Sequence, residues 1–521
     1  MKLEEKYDFV IIGSGFGGSV SALRLIEKGY SVLIIEKGKR FQSKDFPKNN
    51  LHLKKWLWMP FLRFYGIFKM TFFKHVGIVS GVGFGGGSLV YANTLPRPKK
   101  EFYNTGSWAS LADWENELKV YYDRAEKMLG ADKTPFAGPA DEALREVAKA
   151  IGKENEYDAT NVAVFFGESG KTVSDPYFNG EGPDRAGCTF CGACMTGCRE
   201  NAKNTLDKNY LYLAEKKGLQ SLCEKEVIDI DDLEGNGFVI HFQDSTRLFK
   251  SKGSVRAANI VFAGGVLGSV KLLLKLKKKS LVKLSDRLGY DIRTNNESLI
   301  GIINGKNPKD YSRGVAIGSI VQSDENSHLE VVRYGKGSAF WRFTFIPLAY
   351  ANSFLKRMRV LIVNTLKKPL RLTRISLQWN FTTKNSILLF MQTLDSTLRF
   401  KSNGKGMSST LQEGNKPTSF IPEAEKLARI YAEKVNGEPF ILSTEVLFGI
   451  PTTAHILGGC VMGENAEQGV IDKDHKLFNY NNLWVIDGSA ISANPGVNPS
   501  LSITALAERA MEKIPFKNAQ A

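Results

Sequence analysis

Histidine and cysteine are scarce in this chain, with six of each among 521 residues, and no apolar run reaches the roughly 20 residues that a bilayer-spanning helix requires. Six cysteines in a chain of this length do not make a disulfide scaffold, and the longer apolar stretches are broken by Lys, Arg or Pro, so a spanning helix is excluded. A secretion signal is also missing: MKLEEKYDFVIIG places acids where such a signal is basic, which points to a cytoplasmic protein. Disorder is excluded by composition, with 43% apolar and 24% charged residues. No nucleic-acid recognition module is visible, so no nucleic-acid partner is expected. The length exceeds what one hydrophobic core fills, and two intertwined domains are expected.

Acid is missing from two windows. Residues 51–100 hold eight Lys or Arg and residues 341–394 hold nine, neither with any Asp or Glu, and together they account for the formal charge of +16. Both are also rich in large apolar side chains, as in WLWMPFLRFYGIFKMTFF at 56–73. That mixture suits peripheral contact with an anionic surface, such as the inner face of a membrane, and equally suits core segments with solvated basic flanks.

What is present begins at Tyr7. An apolar strand at 8–12 leads into Gly13-Ser14-Gly15-Phe16-Gly17-Gly18, a helix follows with Val20, Leu23, Leu25 and Ile26 on one broad face, and a second apolar strand ends at Glu36. Gly13 permits the tight turn, Gly15 lets a pyrophosphate approach the backbone, and Gly18 allows helix and strand to pack closely. The helix N-terminus offers free N–H groups to the phosphates and Glu36 a carboxylate to a ribose hydroxyl, which argues against a 2′-phosphate. NAD and FAD fit alike at this point. A second run, Gly81 to Val90 (GVGFGGGSLV), has no strand–turn–helix phasing and reads as backbone laid against a flat ring system, or as a flexible loop.

The C-terminal part contains His455-Ile456-Leu457-Gly458-Gly459-Cys460, Trp484-Val485-Ile486-Asp487-Gly488-Ser489 and Gly496-Val497-Asn498-Pro499-Ser500. With Gly13–Gly18 and Gly85–Ser88, these segments resemble the glucose–methanol–choline oxidoreductase family, and within it the bacterial cholesterol oxidase branch. The resemblance implies an α/β (α+β overall) protein. A discontinuous Rossmann-like FAD-binding domain would span 1–300 and 446–521, and a middle substrate-binding domain, a β-sheet with helices, would span 301–445. It implies noncovalent FAD, with Gly15 and Glu36 at the ADP half, Val227 at the adenine through its backbone, Gly87, Tyr91 and Thr94 along the flavin, and Gly488 beside the ribityl and pyrophosphate portion. Gly13, Gly18, Ser88, Asp487 and Ser500 complete the expected cofactor set. Tyr91 stands where the branch has Asn.

The activity implied is oxidation of a CH–OH group by hydride transfer to flavin N5, with a sterol or related lipid as substrate and O2, a quinone or a carrier protein as electron acceptor. Alternatives are a sugar or small-alcohol dehydrogenase of the same family, a lipid-binding protein with structural FAD, and a flavin/iron–sulfur electron carrier. An imidazole titrates in the range a base needs, and the resemblance places His455 at the substrate oxygen, with Gly458 and Gly459 leaving room for a ring. Asn498 reads as the N-cap of the run that follows Pro499, and through the resemblance as a second contact to the substrate oxygen. The branch also uses a middle-domain Glu to shift the substrate double bond. No acid lies between Phe340 and Pro347, so dehydrogenation without isomerisation is the firmer expectation.

One motif stands apart. Cys188-x2-Cys191-x2-Cys194-x3-Cys198 has the spacing of a ferredoxin cluster loop, with Arg199 in place of the usual Pro. Four thiolates in one loop fit an iron–sulfur cluster or a zinc ion, and reduced structural thiols are the third reading.

Overall fold

The computed structural model describes residues 4–304, 309–351, 353–367, 369–370, 380–404 and 406–520. The apolar run Lys6–Ile12 forms β1, the centre of a sheet, because most of its side chains are buried and can be covered on both faces. Val32–Ile35 (β2) pairs with it in parallel and Gln220–Leu222 (β3) extends that edge. Lys225–Asp232 (β4) and Phe238–Asp244 (β5) lie on the far side, joined antiparallel to Lys252–Phe262 (β6), which pairs in parallel with β1. The outer edge of β6 is shared. Its first residues bond β5, while Ile260–Phe262 bond Leu483–Val485 (β7) in parallel, and so the end of the chain enters the sheet begun by its start.

Three helices matter to the site. Helix α1 is Phe16–Glu27, α2 is Val266–Leu276 and α3 is Ser500–Glu512, and α1 packs along α3. The buried carboxylate of Glu508 holds Arg24 through both oxygens at 2.8 Å and also takes the Tyr210 hydroxyl at 2.7 Å, which ties the two helices.

A second sheet stands opposite. Its seven strands run Phe345–Pro347, Glu438–Leu442, Ser298–Ile303, Asn385–Gln392, Ser327–Val332, Ile317–Gln322 and Tyr157–Ala159, every pair antiparallel. Side chains alternate along each strand, so Ile300, Leu329, Val331 and Leu388 pack against helices Pro139–Ala150 and Pro422–Lys434. Leu299, Val332, Ile387 and Leu389 face the other way, toward the first sheet. Residues well before 300 also join this second layer. Tyr157–Ala159 and Pro139–Ala150 belong to the second layer, because the edge strand Ile317–Gln322 takes its last hydrogen-bonding partner from this earlier segment.

The two basic windows meet. Trp56 stacks on Phe68 at 4.8 Å and meets Trp341 edge-on at 5.5 Å, all within one buried cluster. Their outer residues stay in solvent: Phe61 and Leu355 are 81% and 79% exposed, and Ile362, Leu366 and Phe343 are also exposed. Each window is thus core on one side and an exposed apolar fringe on the other. Among the described residues no helix is long and apolar enough to cross a membrane.

Candidate active site

A cavity of about 690 Å³ lies between the two sheets. At one end it is walled by main chain. Gly13, Gly15, Glu36 and Val227 border it there, and Gly87, Tyr91 and Thr94 continue the wall. Gly13 takes a left-handed turn (φ +104°), and a side chain on Gly18 would come within 2.1 Å of the Gly13 carbonyl, so Gly18 serves helix–strand packing and does not line the cavity. Glu36 Oε2 accepts from Ser14 N at 3.1 Å and Oε1 from Gly38 N at 2.7 Å, which fixes the carboxylate at the strand tip. Ser88 does not border the cavity: its hydroxyl donates to Gly85 O and accepts from Leu206 N, so the loop's own turn uses the group.

Further along, Asp487 and Gly488 come in from the C-terminal segment. Asp487 accepts from Gly265 N and Ser489 N, both at 2.8 Å; burial raises its carboxyl above the usual range and these hydrogen bonds only partly offset that. Gly265 and Gly268 border the cavity, and a Cβ on either would meet nothing within 4 Å. That open space beside bare backbone, together with the turn at 13–18 and Glu36, fits the adenosine and diphosphate of FAD.

The other end carries the polar side chains. His455 and Asn498 both border the cavity, with Asn498 Nδ2 3.4 Å from His455 Nε2, and Asn498 Oδ1 is buried with no hydrogen-bond partner among the described residues. His455 is gripped on both sides in sequence: Thr452–Thr453 pairs with Gly77–Ile78, and Leu457 bridges Arg293. Gly458 and Gly459 do not make room for a ring. Side chains there would strike Asp291 O at 1.9 Å and Ile292 Cδ1 at 2.7 Å, so the pair admits a neighbouring chain segment. Asn498 is not the N-cap either. Pro499 occupies that position, and the Asn498 side chain goes to His455, because α3 starts one residue later than the Pro suggested.

Behind the imidazole lies a buried acid that the sequence reading missed. Glu297 Oε2 is 3.1 Å from His455 Nδ1, off the line of an ideal hydrogen bond, while Oε1 accepts from the Thr453 hydroxyl and, at 3.0 Å, from Ala454 N. Burial alone would lower the pKa of His455, but the charges of Glu297 and Glu330 outweigh it and hold the imidazole above its ordinary value. Glu330 is fully buried, with neither oxygen hydrogen-bonded among the described residues and His328 Nε2 3.6 Å away. It pairs across the sheet with Leu389 and lies two residues from Val332, both on the cavity face. Glu445 is also buried, and burial together with the nearby Glu297 keeps its carboxyl well above the usual carboxylate range. Glu297 carries no marker in the sequence. Glu330 does: it is the lone acid of the strand SHLEVV, set between Leu329 and Val331.

The four loop cysteines border a small space of their own, separate from the main cavity. Among the described residues no three His, Cys, Asp or Glu side chains are arranged to hold a metal ion, so the zinc alternative is not met: a single ion needs its ligands at one point.

A family model described as GMC oxidoreductase matches residues 436–507, and one described as FAD binding domain matches residues 8–46. The chain is 44% identical to a cholesterol oxidase of Acinetobacter baumannii over 98% of its length and 95% of that protein. It is 41% identical to a cholesterol oxidase of Mycobacterium tuberculosis over 99% of its length and 92% of that protein. The crystal structure of pyridoxine 4-oxidase from Mesorbium loti shares the fold, with a TM-score of 0.63 at 16% identity over 97% of this chain and 98% of that one.

Proposed function

The chain belongs to the GMC oxidoreductase family and is an FAD-dependent alcohol oxidoreductase; from that premise we propose that its substrate is a sterol or a related bulky lipid alcohol and that dioxygen accepts the electrons. The observation that carries this is the pairing of His455 and Asn498 with the apolar face of Leu299, Val332, Ile387 and Leu389 across one cavity. A polar pair holds one hydroxyl and the sheet face accepts a rigid hydrocarbon body. The curated relatives named cholesterol oxidase support the same substrate class and acceptor.

FAD, when bound, supplies the two-electron acceptor for hydride. The protein does the rest with few groups. Asn498 Nδ2 has a second N–H besides the one toward His455 and donates it to the alcohol oxygen, which leaves the hydroxyl proton free to face the imidazole. With Nδ1 turned to Glu297, Nε2 of His455 is the nitrogen that takes the hydroxyl proton, and the carboxylate of Glu297 stabilises the positive charge that results. The N-terminus of α3 begins at Ser500 on the cavity wall and favours negative charge there. Glu330, whose carboxyl oxygens have no hydrogen-bond partner among the described residues, pairs with Leu389 and shares a strand face with Val332, so an acid stands behind the cavity wall that could move a proton between carbons of an oxidised sterol. It supports a double-bond shift as a second step.

Substrate of this kind resides in membranes. The two basic windows supply Phe68 and Trp341 to the cavity wall and also carry the exposed fringe, and helix Phe354–Lys367 holds Leu355, Ile362 and Leu366 together with Lys356, Arg359 and Lys367. This arrangement supports loading from an anionic lipid surface. The test is anaerobic mixing with cholesterol and with short-chain alcohols, followed by flavin absorbance. Rapid bleaching by the sterol is expected; bleaching by short alcohols alone would sink the sterol assignment.

A further inference from the structure

The cysteine loop has no part in the chemistry above, yet it is built with care. Cys188, Cys191, Cys194 and Cys198 all border one small space, and none is disulfide-bonded. Three positions of the loop take left-handed backbone, Phe190 (φ +52°), Gly192 (φ +69°) and Gly197 (φ +97°). Non-glycine residues adopt that conformation only when the surroundings enforce it. Such alternation turns backbone N–H groups inward, a concavity used by phosphate and iron–sulfur sites. Phe190 N donates to Cys188 Sγ at 3.4 Å accordingly. The loop is clamped from outside as well: Cys191 bridges Gly314, and a side chain on Gly192 would strike Ser312 O at 2.4 Å.

A second observation points to an anion. Lys203 borders the same space, is 1% exposed, and its ammonium donates only to the carbonyls of Leu89, Tyr91 and Cys194, at 3.1, 3.0 and 2.8 Å. Glu200 also borders the space, but among the described residues no carboxylate is within ion-pair distance of Lys203 Nζ. Burial disfavours a charge on Lys203, and negative charge among the four thiolates offsets that.

We propose that Cys188, Cys191, Cys194 and Cys198 hold an iron–sulfur cluster. A lone metal ion draws its ligands to a point, an arrangement absent here, whereas a cluster spreads four thiolates around a body of several atoms, so the thiols need only share a common space. The space is small because thiolates bond iron directly and stand closer than non-bonded contact. Cys191 is exposed and the cluster has one corner near solvent, while Met195, next to Cys194, and Tyr91, whose ring lies 4.7 Å from Lys203 Nζ, line the flavin cavity. The cluster therefore sits one side chain away from the flavin site.

The experiment is to isolate the full chain anaerobically, assay iron, acid-labile sulfide, zinc and FAD, and record electron paramagnetic resonance after dithionite reduction. Iron and sulfide in equal amounts, in fixed proportion to FAD, with a signal in the reduced protein are expected. The exposed-site variant Cys191→Ser and the double variant Cys188→Ser/Cys194→Ser should lose most of the iron, and Cys191→Ser should keep its FAD. If the double variant fails to fold, Cys191→Ser decides. The proposal is overturned if FAD-replete protein contains no iron and takes up none from ferrous iron and sulfide, if it contains zinc instead, or if Cys191→Ser keeps the iron and signal unchanged.

Discussion

The two ends of the cavity are built from different materials. At the nucleotide end the wall is main chain: the turn at 13–18, the tips of β2 and β6, and bare glycines at 265 and 268. At the other end it is side chain, a sheet face of Leu, Val and Ile with a few polar groups set into it. Backbone recognition depends on which residues are absent, since any Cβ at Gly13 or Gly18 collides. Side-chain recognition depends on volume and on the state of individual acids. The first end should therefore fail abruptly when altered and the second by degrees.

The sharpest break is expected from Gly18→Val. Its Cβ would lie 2.1 Å from the Gly13 carbonyl, with no flexible neighbour to yield, so purified protein should contain almost no flavin by absorbance. A normal flavin content would end the contrast drawn here. Next is His455→Ala, which should lower the anaerobic flavin-reduction rate by roughly 10²- to 10⁴-fold while FAD content stays at the wild-type level. Glu297→Gln should act more mildly, about tenfold in rate, or ~1.4 kcal/mol. It also carries a readout that a structural defect would not mimic. Glu297 raises the His455 pKa and the neutral imidazole is the base, so the rate climbs with pH through that pKa and the climb should move to lower pH in the variant. Leu389→Phe fills the sheet face and should reduce kcat/KM for sterol by about tenfold with little change for short alcohols, measured by paired steady-state assays. The smallest effect is expected at the fringe. Leu355→Glu/Ile362→Glu should weaken binding to anionic vesicles several-fold in sedimentation, with activity on detergent-dispersed sterol unchanged.

The same contrast decides what could be read without a structure. The nucleotide turn was legible because glycine spacing is itself the physical requirement, and β1, α1 and β2 follow from it directly. His455 and Asn498 were legible only through resemblance: their spacing of 43 residues carries no signal, and Asn498 beside Pro499 imitates a cap. Glu297 was hidden because burial comes from tertiary pairing. Glu297 ends a polar stretch, and only the pairing of Ser298–Ile303 with Asn385–Gln392 brings it under His455. The early strand of the second sheet was hidden for a related reason, since nothing local says that Tyr157–Ala159 will be drawn to a strand that lies about 160 residues further along.

The shared outer edge of β6 has a consequence for biosynthesis. Its neighbour β7 begins at Leu483 and Asn498 follows still later, so everything up to these residues must leave the ribosome before the cleft can close around its ligand. Until then the nascent product exposes the unpaired end of β6 and the apolar flank of α1 that α3 will cover. A protein stitched together by residues so distant from its nucleotide turn asks the cell's folding helpers to hold it open until they have been made.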